Sequence, residues 1–232
     1  MPYRDSSNIM KKHFFTAAAL WMALTGLPPA QAQELNGNAA AGAGKIAQCV
    51  GCHGIKGYHS SFPEVYRVPM IAGQSASYIV SALTAYRQGD RRHPTMRGVV
   101  GSMSDQDVAD VAAYYTALGG GGGASGGSGL NRNDAATALK LIEQGGCKSC
   151  HGDNFSKPIA PGYPKIAGQH ADYLLVALKA YKMAGDSPVM GRSNPVMGGI
   201  AKQFSADELK LLASYLGALP GELRTVPQSA FK

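Results

Sequence analysis

One pattern occurs twice and constrains the fold more than any other feature of the chain. Cys49-Val50-Gly51-Cys52-His53-Gly54 is answered by Cys147-Lys148-Ser149-Cys150-His151-Gly152. Each copy is followed by the same features in the same order. Ile71-Ala72-Gly73-Gln74 matches Ile166-Ala167-Gly168-Gln169, each shortly after a proline, Pro69 or Pro164. Tyr78 and Tyr173 come next at equal distance from the Gln, then Leu83 and Tyr86 against Leu178 and Tyr181. Met96 and Met197 close the series, each ahead of an apolar residue and a serine, Met103-Ser104 and Phe204-Ser205. Agreement at so many offsets marks an internal duplication, so the fold is one unit built twice. Between the copies, Gly119 to Gly129 reads GGGGGASGGSG, a flexible linker with nothing to bury.

The pattern of apolar residues predicts an all-α fold. Ala39 to Gln48 and Asp134 to Gln144 read as helices leading into the Cys motifs. Ser75 to Gln88 and Ala171 to Met183 carry apolar residues at the helical period. Ser104 and Ser205 are suited to cap a last helix in each unit, with Asp107 and Glu208 at capping-box spacing. No stretch alternates as a strand. The domains follow: 33–118, linker 119–129, and 130–232. Units of about 90 residues are marginal for a protein core alone, and a large apolar cofactor at the centre repairs that shortage.

Cys-x-x-Cys-His is an attachment signature for c-type haem. Two thiols three residues apart reach the two vinyl groups on one porphyrin edge, and the following His falls under the iron. Cys49, Cys52 and His53 would hold one haem, and Cys147, Cys150 and His151 the other. A four-cysteine zinc site needs its pairs closer together and no His after each. A thioredoxin-like motif needs a βαβ context that is absent. Two disulfides, the default for four Cys in an exported chain, would waste the matched spacing.

An iron that shuttles electrons needs a sixth ligand, and Met opposite His raises the reduction potential. Met96 and Met197 are the methionines at equivalent positions before the capped helices. Met70, Met103, Met183 and Met190 read as core filler, Met190 being the rival in the second unit because Val189-Met190-Gly191 resembles Val196-Met197-Gly198. His59, His93 and His170 lack a histidine counterpart and read as surface residues. A ligating His usually donates its other ring N–H to a carbonyl, a role open to Pro69 and Pro164. Gln74, Tyr78, Gln169 and Tyr173 either contact haem propionates or pack helices together.

The N-terminus reads as a cleavable signal peptide over residues 1–32. Lys11 and Lys12 precede an apolar run from Phe14 to Leu27, and Ala30-Gln31-Ala32 supplies the cleavage pattern. Met10 is an alternative start. The run falls short of the roughly 20 apolar residues a spanning helix needs, so the mature protein is expected to be soluble and periplasmic. Cleavage reduces 22 Lys plus Arg to 19 and 15 Asp plus Glu to 14, leaving a net charge of +5. That mild excess suits an acidic partner or peripheral contact with an anionic membrane face, and excludes nucleic acid as a partner.

Taken together, these motifs resemble the dihaem cytochrome c4 family over essentially the whole mature chain. The resemblance implies two tandem class I cytochrome c domains with their haems close together. It implies His–Met ligation at both irons, by His53 with Met96 and His151 with Met197. It further implies a periplasmic electron carrier rather than an enzyme, taking electrons from a quinol-oxidising complex or other donor to a terminal oxidase or reductase. The alternative is the cytochrome subunit of a periplasmic dehydrogenase complex.

Overall fold

Each repeat opens with helix that delivers the chain to its Cys motif, and the two repeats do this differently. In this computed structural model, which describes residues 36–120 and 130–227, the first repeat uses two short helices, α1 (Ala39–Ala43) and α2 (Ala47–His53). A single helix over 39–48 was the expectation. The chain instead breaks at Gly44, a weak helix former, so that Lys45 can reach Asp107 and Asp110 at 2.6 Å each. The signal peptide predicted over 1–32 and most of the Gly-rich linker lie outside the described residues.

Beyond the motif come β1 (His59–Ser60) and β2 (Tyr66–Arg67), a two-residue antiparallel ladder, then α3 (Ala76–Gln88). The Ser75 side chain caps α3 by accepting from the Tyr78 N–H, and Gly89 ends it at φ +90°. A short strand β3 (Arg91–Arg92) leads to α4 (Pro94–Gly101) and α5 (Asp105–Ala117). The capping box predicted at Ser104 and Asp107 is formed. The apolar faces of these helices meet in a core that includes Val50, Ile79, Val100, Val111 and Tyr115.

The second repeat follows the same course. Its opening helix α6 (Arg132–Gln144) is continuous and capped by Asn131, and a Gly145-Gly146 turn leads to α7 (Lys148–His151). Then come α8 (Ala171–Met183), strand β4 (Gly191–Arg192), α9 (Pro195–Lys202) and α10 (Ala206–Ala218). Ser205 and Glu208 form the second capping box. Leu141, Ile142, Leu174, Phe204 and Leu212 are among the residues of this core.

The repeats are joined by reciprocal contacts. β3 pairs antiparallel with β4, Arg91 opposite Arg192 and Arg92 opposite Gly191. Gln74 donates to the Lys165 carbonyl at 3.0 Å and accepts from the Lys165 N–H at 2.9 Å. Gln169 does the same to Met70, at 2.8 and 3.0 Å. Both Gln side chains are buried, so each amide satisfies its donor and acceptor on the backbone of the other repeat. Gln74 and Gln169 thus tie together loop backbone of the two repeats, a contact that neither expectation for them names. Arg67 pairs with Asp172 at 3.0 Å and Lys179 pairs with Glu64 across the same boundary. The tail of the chain then returns to the first repeat, where Arg224 bridges to Ala72 and donates to the Leu118 carbonyl.

Candidate functional site

The two Cys motifs sit in equivalent positions with equivalent surroundings. Helical turn geometry sets Cys49 and Cys52 three residues apart on one side of α2, with His53 next; Cys147, Cys150 and His151 repeat this at α7. All four thiols are free and half-buried. Burial pushes the Cys49 thiol up to about 11 and the Cys147 thiol upward as well. They stay protonated at neutral pH, unlike the low-pKa thiols of redox catalysts.

The histidines are oriented in the same way. His53 Nδ1 lies 2.8 Å from the Pro69 carbonyl oxygen, and His151 Nδ1 lies 3.0 Å from that of Pro164. A carbonyl oxygen only accepts, so Nδ1 carries the proton and donates, leaving the Nε2 lone pair available to a metal. Burial lowers the pKa of both rings, partly offset by the proline carbonyl. Both imidazoles are therefore neutral at neutral pH, the form that ligates.

Met96 and Met197 occupy the third position of α4 and α9, each two residues after a helix-opening proline. The Met96 N–H donates to His93 Nδ1 at 3.3 Å, and the Met197 N–H donates to Asn194 Oδ1 at 2.9 Å. Capping thus fixes each Met at one helical position. Met103 is in the first core, as expected of a filler residue, and Met190, the rival in the second repeat, lines the cleft between the repeats.

His93 corrects the expectation of a surface role. Its ring caps α4, sits edge-on to Tyr66 at 6.4 Å, and buries Nε2 without a hydrogen-bond partner among the described residues. His170 is also partly buried, beside Arg67 and Asp172, whereas His59 is exposed as expected. His93 and its counterpart Asn194 share the capping task, for which a ring nitrogen and an amide oxygen are both adequate acceptors.

Reading the sequence also missed Arg91 and Arg192. Each lies five residues before its Met, an offset that the repeat itself displays. Both are buried at the boundary between the repeats. Arg91 donates to the Tyr78 and Tyr173 hydroxyls at 3.3 and 3.1 Å, and Arg192 to Tyr173 at 3.0 Å.

The donor set fits a covalently held haem in each repeat: paired free thiols, an imidazole with Nδ1 committed to a carbonyl, and a helix-anchored thioether. The comparisons agree. The cytochrome c family profile matches residues 39–118 and 135–220. Cytochrome c4 of Pseudomonas aeruginosa is 30% identical, over 86% of this chain and 95% of its own length. The thiosulfate dehydrogenase electron acceptor of Stutzerimonas stutzeri is 29% identical, over 72% of this chain and 76% of its own. The crystal structure of reduced recombinant cytochrome c4 from Pseudomonas stutzeri aligns with a TM-score of 0.62 at 30% identity, covering 79% of this chain and 99% of that one. With its two matched sites and its likeness to these proteins, the chain belongs to the cytochrome c family, as a dihaem electron carrier of the cytochrome c4 type.

Proposed function

We propose that Cys49 and Cys52 hold one haem and Cys147 and Cys150 the other through thioethers, with His53 and Met96, and His151 and Met197, as the axial ligands. The observation that carries this reading is the paired His–proline carbonyl bond, present at both motifs with the same ring nitrogen. Each bound haem supplies an iron centre that takes up or releases one electron. The protein's own contribution is to orient: the Pro69 and Pro164 carbonyls fix the imidazole planes, and the helix caps at His93 and Asn194 fix the methionines. Met ligation with burial favours the reduced iron and closes the site to substrates.

In this reading residues 33–118 and 130–232 are the two haem domains, exported to the periplasm by a signal peptide over 1–32. The carrier moves electrons from a quinol-oxidising complex or similar donor to a terminal oxidase or reductase. Among the described residues no helix is long and apolar enough to cross a membrane, and peripheral contact with an anionic membrane face belongs to the same proposal. The likeness to the thiosulfate dehydrogenase electron acceptor supports a second reading, in which the donor is a periplasmic dehydrogenase. Co-purification with a large catalytic subunit would favour that reading.

Absorption spectra of the oxidised and reduced protein, with a pyridine haemochrome count, test the ligand set. Two c-type haems per chain with a weak Met–iron band near the red end are expected. One haem, or a high-spin spectrum that binds carbon monoxide readily, would remove the paired His–Met assignment.

A further inference from the structure

Four buried side-chain polar atoms have no hydrogen-bond partner among the described residues: Arg91 Nε, His93 Nε2, the Tyr115 hydroxyl and the Ser156 hydroxyl. Arg91 and His93 line the cleft at the seam where the repeats meet. Tyr115 lies on α5, inside the first core. It is 4% exposed, Tyr114 stands edge-on to it at 5.3 Å, and Cys49 packs against the same core. Native interiors pair nearly all their buried polar groups, and each exception calls for a reason.

The second repeat shows what the hydroxyl adds. The Tyr115 carbonyl accepts from the Gly73 N–H at 2.9 Å, and the Leu216 carbonyl accepts from the Gly168 N–H at 2.9 Å. Gly73 and Gly168 are the paired glycines of the two Ile-Ala-Gly-Gln segments, so Tyr115 and Leu216 hold one structural position. Leu216 is 5% exposed in the second core, against which Cys147 packs. Hydrocarbon is enough to fill this place. The phenol in the first repeat buries a polar group that packing alone does not call for.

Cys49 is the group that can use it. Burial raises the Cys49 thiol, and the Tyr115 hydroxyl draws it part of the way back; burial and Cys49 together push the Tyr115 phenol up. The two groups sense each other, short of a formed hydrogen bond. Tyr115 stays a protonated phenol with a donor hydrogen to place. A free thiol meets that hydrogen poorly, since the sulfur carries a proton of its own. Haem attachment removes this obstacle. The S–H adds across a vinyl double bond, sulfur to one carbon and hydrogen to the other, and the sulfur that remains is a thioether that only accepts.

We propose that Tyr115 is a positioning residue of the first haem site: its hydroxyl donates to the Cys49 sulfur once that sulfur is a thioether, and so favours the reduced state of the first haem. The donated hydrogen places partial positive charge beside the edge of the macrocycle, which stabilises the more electron-rich form. Leu216 has no hydrogen to donate to Cys147, so this contribution is absent from the second site. The inference rests on the dihaem reading above and adds a difference between the two sites to it.

The test uses the full dihaem protein and Tyr115→Phe, which removes the oxygen and keeps the ring. Midpoint potentials are read by redox titration followed by NMR, each haem being assigned through its contacts to residues of one repeat. The first haem is expected to shift about threefold toward the oxidised form, about 28 mV for one electron, with the second unmoved. A first-haem potential unchanged in a variant that carries two haems would overturn the proposal. So would equal shifts at both haems, which a general loosening of the fold produces. A pyridine haemochrome count below two in the wild type would instead remove the dihaem reading, a failure separate from that of Tyr115.

A second measurement reads the bond itself. In infrared redox-difference spectra of protein carrying ring-deuterated tyrosine, the phenol band that Tyr115→Phe abolishes should be that of a hydrogen-bond donor and should move between the two oxidation states. A band at the frequency of a free phenol in both states would show that the hydroxyl is merely buried, and the role assigned to it would fall.

Discussion

The two repeats share the Cys motif, the His–proline carbonyl bond and the capped Met, and differ in what holds those features up. In the first, α1 is only five residues long and lies directly on the backbone of α5: a Cβ at Gly42 would stand 2.1 Å from the Asp110 carbonyl oxygen. The pairing is secured by charge, with Lys45 bridging Asp107 and Asp110 and the Asn38 N–H donating to Asp110. In the second, α6 has 13 residues and presents Ala138, Leu141 and Ile142 to the interior. Counted back from the Cys motifs, Lys45 corresponds to Glu143, and counted on from the capping serines Ser104 and Ser205, Asp110 corresponds to Leu211. Duplication has kept the donor atoms in place while the surrounding support has been rebuilt, once with ions and once with hydrocarbon. The site constrains geometry, and several kinds of packing deliver the same geometry.

The largest expected effect separates the two cores. Phe204 and Met103 hold the same position, just before the cap of the last helix, where each packs toward a residue one turn on, Leu209 or Val108. Phe204 is 2% exposed and its ring closes on Gly145, where a Cβ would approach it at 3.1 Å. Phe204→Ala is expected to cost about 4 kcal/mol and Met103→Ala about 2 to 3, because the larger, rigid ring leaves the larger cavity. Thermal unfolding of the haem-loaded variants measures both. Equal costs would mean that the hydrocarbon support of the second repeat is no greater than that of the first.

A smaller effect comes from acid. Hydrogen bonding to Lys45 holds Asp107 and Asp110 down to about 2. A carboxyl depressed in the folded state contributes stability above its unfolded value of about 3.9, and that contribution is lost as pH falls toward the folded value. The first repeat should therefore loosen between pH 4 and 2, in the α1–α5 contact. In the second, Glu208 is lowered chiefly by its Ser205 cap, with a smaller pull from Lys182, and no carboxylate bridge stands between α6 and α10 among the described residues. Pepsin, active over this range, should cut the α1 and α5 segments first, and Asp110→Asn should remove much of the difference. Simultaneous cleavage of both repeats would show that the ion cluster is not the weaker support.

How much of this was legible in the sequence follows from the range of the interactions. Ser75, Ser104 and Ser205 announce their helices because a cap is satisfied within three residues. The repeat itself aligned His53 with His151 and Met96 with Met197, and the carbonyls of Pro69 and Pro164 followed from the needs of a ligating imidazole. The break at Gly44 was hidden because its cause, Lys45 reaching Asp110, spans the unit. The ladders were hidden because two-residue strands show no alternation, and β3 finds its partner in the other repeat. His93 and the arginine pair were misread or overlooked for the same reason: burial is a property of the assembled seam. Pattern reveals what a residue does to its neighbours in the chain, and only the fold reveals what faces it.

The smallest prediction sharpens the comparison at a single backbone position. Gly89 ends α3 at φ +90°, and its counterpart Ala184 ends α8 at φ +51°, ψ −109°. A side chain at positive φ costs roughly 1–2 kcal/mol, against about 0.5–1 kcal/mol for the extra unfolded-state freedom of glycine. Ala184→Gly should therefore stabilise the protein by about 0.5–1 kcal/mol. Gly89→Ala should destabilise it by a similar amount, since a Cβ at Gly89 meets nothing within 4 Å and backbone strain alone decides. What holds Ala184 in place is the loop after it, where Arg92 of the first repeat donates to the Gly185 and Ser187 carbonyls at 2.5 and 2.7 Å. That loop leads to β4 and Arg192, so the strained turn is maintained by the contact between the repeats. Thermal melts of Ala184→Gly alone and with Arg92→Ala distinguish the causes. If the gain from glycine vanishes once Arg92 is removed, the strain belongs to the seam; if it persists, the strain is intrinsic to the second repeat.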